Sequence, residues 1–594
     1  MQMLSPRQVH LDFHTSEWIE GVGAQFDAEE FARTVQEAAV SSMTVFARCH
    51  HGWLYYDSWR FPERVHPHLA NRNLLVEQVR ALHAQGIKAP VYITVQWDYY
   101  TANRHPEWLI RKPDGAHEGG PFSEPGFYQS LCVNTGYWKF LQEQTLEVME
   151  LLGDELDGLF FDIVGIRPCT CAACRKEMLE KGLDFGDEAQ VRAFAKQSID
   201  RFKQKMSAFV REHNDHCTIF YNAGHVGPCT KDSKEAYTHF ELESLPSGGW
   251  GYDFLWSSAA YARSLQRTVL YMTGRFQAGW GDFGGYKGRD SLENDVFDAL
   301  CNNLLPSVGD HMHPAKMLSR DLYRDIGDIF ARVRAYESYT RGARFLAEVG
   351  VLTDDDGFPG DAYKGLARML AELKQGFDIV HTSMEISRFA LVILPDGLAV
   401  DEALAQKLRA YLSQGGKILS TGTGGLASDG GGFALPEYAA DCEGLDPSND
   451  SYFAFENLPE GTADMPWSMY APGILVRARA GAQVYARHIQ PYFSRHWDGR
   501  HGYFYTPPER ESGFAAAVLC GNVAHISFDI FGAYFRSALR EHKRLVAQLL
   551  DALLPEPLIR PLVGIPSKAR VTATATERYT LLHVKITSPE PRGR

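Results

Sequence analysis

Asp157-Gly-Leu-Phe-Phe-Asp162 is a short apolar run that ends in a carboxylate. It has the character of a buried strand, and an aspartate at such an end faces the place where a barrel opens. A second acidic segment is Thr238-His239-Phe240-Glu241-Leu242-Glu243. If it is extended, His239, Glu241 and Glu243 share one face, because side chains alternate along a strand. Two inward glutamates are costly unless they hold a ligand, a cation or a proton. Retaining glycoside hydrolysis needs two such carboxyl groups, about 5–5.5 Å apart. One is ionised and attacks the anomeric carbon; the other is protonated and assists the leaving group. Asp162 is the expected nucleophile. Glu241 and Glu243 both stand as the acid/base, with Glu243 nearer the expected mouth. The non-catalytic alternatives are a helix-capping aspartate and a salt-bridged surface pair of glutamates. Ile163-Val-Gly-Ile-Arg-Pro after Asp162 reads as a loop rather than a helix.

Other polar side chains gather at similar places. His14 follows the first predicted strand and His50-His51 the second, and an imidazole offers a sugar hydroxyl both a donor and an acceptor. His225, His239 and Arg275 are further substrate-binding candidates, and Trp53 and Trp97, with Trp250 and Trp280, are candidates for an aromatic wall. Cys169-Thr-Cys171-Ala-Ala-Cys174 has the spacing of a metal site. Structural zinc takes four ligands and this segment supplies three, so Cys132, Cys217 or Cys229 would have to complete it in space. The favoured reading is reduced, packed cysteines, with no metal and no cofactor, since this hydrolysis needs none.

The elements that must carry these residues alternate. Strands are predicted over 8–13, 43–48, 89–95, 157–163, 217–222, 237–243 and 268–276, with a weak eighth near 306–313. Helical patterns fall between them, at 28–39, 73–85, 135–152, 188–212 and 292–304. Strand after strand ends in a chemically rich loop, among them Asp12-Phe-His14, Gln96-Trp97-Asp98 and Asn222-Ala-Gly-His225. That asymmetry is the mark of a (β/α)8 TIM barrel, whose sites gather at the C-terminal strand ends. A doubly wound sheet would want a Gly-rich phosphate loop, and none follows an early strand. The α/β chain divides on this reading into a catalytic barrel (1–343), a flavodoxin-like α/β domain of trimerisation type (344–555) and a C-terminal β segment (556–594) that reads as incomplete. Residues 429–513 read as irregular, and 570–586 as a hairpin.

Composition narrows the classes. A net charge of −14 over 594 residues, with no basic run, speaks against nucleic acid. No run of about 18 apolar residues suits a membrane span. The start lacks a charged region followed by an apolar one, and ten cysteines in this length are no disulfide scaffold. A cytoplasmic, reduced protein is expected. Aromatics at 12% suit a sugar cleft or a large aromatic core equally.

Phe46-Ala-Arg-Cys-His-His-Gly-Trp53 resembles the Lys-His-His-Asp-Gly-Phe segment of family 29 α-L-fucosidases, in which paired histidines hold the fucose hydroxyls. Leu159-Phe-Phe-Asp162 resembles the segment that carries their nucleophile, also at the end of the fourth strand. The whole chain looks closer still to glycoside hydrolase family 151, fucosidases that join this barrel to a trimerisation-like domain and a β domain. The resemblance covers about residues 8–555 in architecture and a few short segments in sequence. It departs where Gly52 follows His51 directly, with no Asp between. It implies a retaining α-L-fucosidase acting on carbohydrate, and a homo-oligomer. The alternatives are a galactosidase-type retaining hydrolase and a catalytically silent carbohydrate-binding protein. Galactosidases with a trimerisation domain usually carry Asn-Glu at the fourth strand, where Asp162 stands here.

Overall fold

Eight short runs rich in β-branched and aromatic residues become strands buried on both faces, as parallel strands under a helical layer must be. They are β1 (Gln8–Asp12), β2 (Ser42–Arg48), β3 (Val91–Thr94), β4 (Gly158–Asp162), β5 (Thr218–Tyr221), β6 (Phe240–Glu243), β7 (Val269–Gly274) and β8 (Leu305–His311). The structure, a computed structural model, describes residues 4–586 apart from 121–128, 356–357, 359, 449–450, 495–496, 498, 501–504 and 561–563. The strands form one parallel sheet in the order β5-β4-β3-β2-β1-β8-β7-β6. β1 pairs with both β2 and β8, so first and last strands meet as in a barrel. At the remaining seam, between β5 and β6, Thr238 N–H donates to the Ile219 carbonyl at 3.0 Å, and Ile219 N–H donates to Thr238 Oγ1 at 2.9 Å. The TIM barrel expected from the alternation is therefore present, each strand within a few residues of its expected place.

Helices between the strands are set by local chemistry. Ala28–Glu37 starts at Asp27, whose carboxylate accepts the Glu30 N–H at 2.8 Å, and it buries Phe31, Ala32 and Val35. Such a cap satisfies an N–H that the first turn leaves open. Asp187 does the same for the long helix Glu188–His213.

The described residues form two compact units: 4–252 with Leu265–Arg341, and Asp253–Ser264 with 342–586. The helix Phe254–Ser264 thus belongs to the second unit, although it lies in the chain between β6 and β7. In that unit a parallel sheet runs Phe377–His381, Val349–Thr353, Leu391–Leu394, Lys417–Thr421, Val523–Ile526. It continues antiparallel through Pro508–Cys520, Gln483–Pro491 and Tyr452–Phe455. Residues expected to be irregular, within 429–513, thus supply strands. Their alternation is broken by register shifts between Gln483–Pro491 and Pro508–Cys520, which hide a period of two from a reading of sequence alone. The expected tail hairpin is Arg570–Ala575 with Thr580–Lys585, and Arg344–Phe345 adds a third strand to it.

Candidate active site

At the C-terminal ends of the barrel strands lies a cavity of about 560 Å³. Asp162 and Glu243, from β4 and β6, both face it. Between them stands Asn222, just past β5. Its amide nitrogen donates to Asp162 Oδ1 at 2.8 Å and to Glu243 Oε2 at 3.0 Å. The two N–H bonds of an amide diverge by roughly 120°, so those two oxygens lie about 5 Å apart, the separation of a retaining pair.

The two carboxyl groups differ electrostatically. Burial pushes Glu243 up to about 7, with the charges of Asp162 and Asp12 adding to the push and the Asn222 amide opposing it. Burial, on balance, raises Asp162 too, although two side-chain donors oppose it by favouring the ionised form: Tyr92 Oη at 2.5 Å from Oδ2, and Asn222. Tyr92 is buried and its phenol is held well above its ordinary range, so it remains a proton donor. One group is thus poised as an acid near neutrality and the other is braced as an anion. Ile163, directly after Asp162, has φ +56°, a conformation that strains a β-branched residue by about 1–3 kcal/mol. The bend is pinned on both sides: Gln96 N–H donates to the Ile163 carbonyl at 3.1 Å, and Val164 N–H to the Asn222 carbonyl at 2.8 Å.

His14, His50 and His51 line the same cavity. Thr94 gives its one hydroxyl proton to the Trp97 carbonyl at 2.7 Å, so His50 Nδ1, 2.8 Å from Thr94 Oγ1, must be the donor of that pair. Burial lowers His50 to about 3, so the ring is neutral and Nε2 carries a lone pair, 3.5 Å from Asp162 Oδ2. His14 stacks on His50 with ring centroids 4.1 Å apart, and its Nδ1 accepts the His50 backbone N–H at 3.2 Å. Its proton therefore sits on Nε2. Burial and the neighbouring His50 keep His14 well below its ordinary value. Two stacked rings present one acceptor and one donor, which matches a hydroxyl-bearing ring. The Gly52 that departs from the fucosidase segment has a steric cause: its φ is +89°, and a Cβ there would lie 2.2 Å from Asp98 Oδ1.

Trp97 also lines the cavity, but five of the expected site residues do not. Glu241 is two residues below Glu243 on the same face of β6, so it sits about 7 Å deeper in the barrel. There it accepts from Gln8 Nε2 at 3.0 Å and pairs with His239 Nε2 at 3.1 Å. Glu241 and His239, expected as acid/base and substrate contact, are both buried and neither lines the cavity. His225 is exposed and does not line the cavity, although Ala223 and Gly224 just before it do. Trp53 turns to Glu17, bonding its Oε2 at 3.3 Å, and packs on Tyr100. Arg275 is spent on structure. Its Nε donates to Asp310 at 2.9 Å, and one terminal nitrogen donates to the carbonyls of Asp282, Phe283 and Gly285 at 3.0, 3.1 and 2.7 Å.

The loop so held carries Trp280 and Gly281 into the cavity wall. Trp280 Nε1 donates to Asp12, which also faces His10 at 3.3 Å and His14 at 3.8 Å. Sequence reasoning assigned no role to His10, Asp12, Tyr92, Asn222 or His311. For the first two a signal existed: His10, Asp12 and His14 share one face of an extended segment. Phe160, Met272 and Trp280 form an apolar part of the lining.

A protein family described as "Hypothetical glycosyl hydrolase 6" matches residues 27–163. No curated protein matches the chain. Among solved structures, the α-L-fucosidase isoenzyme 2 from Paenibacillus thiaminolyticus is 33% identical, with a TM-score of 0.92 over 99% of this chain and 89% of that one. The chain belongs to the family of that glycoside hydrolase. The resemblance to the family 151 fucosidases holds at the level of the whole chain, and the protein is a glycoside hydrolase. A β-galactosidase from Bacillus circulans sp. alkalophilus (13% identical, TM-score 0.74, 98% of this chain and 92% of that) shares the fold. So does a GH42 β-galactosidase from G. stearothermophilus (14%, 0.70, 96% and 91%). No helix among the described residues is long and apolar enough to cross a membrane.

Proposed function

We propose that this glycoside hydrolase is a retaining exo-α-L-fucosidase, with Asp162 as nucleophile and Glu243 as general acid/base. The observation that carries the mechanism is the Asn222 amide bridging the two carboxyl groups, which sets their oxygens about 5 Å apart. In the first half-reaction Asp162 attacks the anomeric carbon while Glu243, protonated below about pH 7, gives its proton to the departing oxygen. In the second, Glu243 takes a proton from water, and the water displaces Asp162. The stacked His14 and His50, with His51, hold the sugar hydroxyls. L-Fucose shares the relative hydroxyl arrangement of galactose but ends in a methyl group. The apolar wall of Phe160, Met272 and Trp280 favours that methyl over the hydroxymethyl of a galactoside. The relative named as an α-L-fucosidase supports the same reading.

The test is hydrolysis of an aryl α-L-fucoside followed by anomeric NMR, with the Asp162→Ala chain assayed beside the wild type. The wild type should release the retained sugar, and Asp162→Ala should lose several orders of magnitude in kcat. Azide, entering the space left by the carboxylate, should restore turnover and give a fucosyl azide of inverted configuration. Turnover of galactosides alone would overturn the specificity. An inverted wild-type product, or near-normal kcat in Asp162→Ala, would overturn the mechanism.

A further inference from the structure

Cys169, Cys171 and Cys174 supply three thiols in six residues, and the fold brings a fourth, Cys132, from the far side of helix Tyr137–Leu152 in sequence. The four sulfur atoms all lie within 4.8 Å of one another, and Cys132 Sγ and Cys174 Sγ are 3.5 Å apart. A tetrahedral zinc ion with Zn–S bonds of about 2.3 Å spaces its sulfurs by roughly 3.8 Å, whereas a disulfide would hold one pair at about 2.0 Å. All four cysteines are buried, in a shell of Ile110, Met178, Val191 and Phe194. Four mutually close thiols gain little from one another, since S–H is a weak donor and S a weak acceptor.

The surroundings suit thiolates better than thiols. Cys171 N–H points at Cys169 Sγ at 3.5 Å. Asn134 Nδ2 donates to Cys174 Sγ at 3.5 Å and is itself oriented by Arg201, whose terminal nitrogen donates to Asn134 Oδ1 at 2.9 Å. Cys171 is the N-cap of helix Ala172–Glu180 and Cys174 lies in its first turn, at the positive end of the helix dipole. Amide donors on sulfur and a second ring of polar groups are what a thiolate–metal centre requires.

We propose that Cys132, Cys169, Cys171 and Cys174 bind one structural Zn2+ with tetrahedral four-sulfur coordination. Zinc enters as the dication and displaces the thiol protons to solvent, with no change of oxidation state. The site is closed, with four protein ligands and no open position, so the ion takes no part in hydrolysis. Its effect is mechanical. The segment it clamps runs directly from Asp162 and carries Ile163, Gly165 and Arg167 along the cavity wall. Thr170, between two of the ligands, is tied through its N–H to the Arg111 carbonyl at 2.7 Å.

The experiment is elemental analysis of the purified full-length chain, produced in zinc-containing medium and washed with a mild chelator. About one zinc per chain is expected. A mercurial that titrates thiols should release it, as followed with a zinc-sensitive dye. Cys171→Ser/Cys174→Ser should lower the zinc content at least tenfold, while Cys301→Ser, outside the cluster, should leave it unchanged. Growth on cobalt keeps the proposal testable if the double variant does not fold, because a tetrahedral cobalt–thiolate centre is coloured by intense d–d and sulfur-to-metal bands. Metal at background in the folded wild type, iron in place of zinc, zinc retained by the double variant, or cobalt protein without those bands would each overturn it. None of these readouts depends on which sugar the enzyme cleaves.

Discussion

Asn222 is a single amide with two duties, and its removal separates them. Both of its bonds favour the ionised forms of Asp162 and Glu243, so without it both groups hold their protons to higher pH. Activity on the proposed mechanism needs Asp162 ionised, so it is lost as pH falls through the value of that group. It also needs Glu243 protonated, so it is lost as pH rises through about 7. The pH profile of kcat/KM should therefore be bell-shaped with an alkaline limb near 7. In Asn222→Ala both limbs should move to higher pH, while kcat falls because the pair is no longer held at its spacing. A profile that falls in height without moving would deny the amide its electrostatic part. At this scale the sequence was half legible. Asp162 and Glu243 could be found from a strand-end carboxylate and a period of two, but the same period made Glu241 equally eligible. Only depth in the barrel separates the two glutamates. The role of Asn222 depends on three neighbouring strands at once, and no spacing along the chain encodes it.

The loop after β7 shows how an element is held by a residue that never touches the cavity. Arg275 is buried, paired with Asp310 and bonded to three loop carbonyls. Replacing it by Ala strands a buried carboxylate as well as the loop, and breaking a buried pair in this way costs about 3–5 kcal/mol. Arg275→Ala should lower the Tm by several degrees, and Arg275→Met with Asp310→Leu should recover much of the loss. Neither should regain the wild-type KM, since Trp280 loses its support in both. Recovery of KM along with Tm would mean that Trp280 does not contact substrate. The elements themselves were well marked in the sequence, because eight apolar runs bounded by polar loops repeat the same pattern. The fourth cysteine ligand was not, since Cys132 lies 37 residues before its nearest partner and only the packing of the chain chooses it over Cys217 or Cys229.

At the scale of the whole molecule, the second unit contains a flavodoxin-like sheet without a glycine-rich cofactor loop after its first strand. Leu445, Met465, Tyr470, Tyr492, Trp497 and Tyr505, all within the segment that extends this sheet, are exposed. Large apolar side chains that gather into one exposed patch mark an interaction surface. We expect a homo-oligomer assembled through this region. Light scattering at micromolar concentration should give a multiple of the chain mass, and Tyr492→Lys with Trp497→Lys should reduce it. A wild-type chain that scatters as a monomer would refute the expectation. The sequence marked a separate α/β domain here, but it hid the antiparallel extension behind glycines, prolines and shifted registers.

The helix Phe254–Ser264 bears on the order in which the protein can be made. Ten of its eleven residues are buried, and it packs on the strand Phe377–His381 and the helix Asp361–Glu372. Arg263 reaches Asp378 at 2.9 Å and the Phe377 carbonyl at 2.8 Å. A ribosome adding residues from the N-terminus delivers this helix about a hundred residues before its resting place exists. At roughly 5–20 residues per second, an apolar helix between two barrel strands waits for several seconds without its partner. Until residue 381 has been added, the nascent chain carries an apolar helix whose covering strand is missing. The interval is the time in which a nascent chain is most open to chaperones and to aggregation. A gene cut after residue 341 would make the interval permanent.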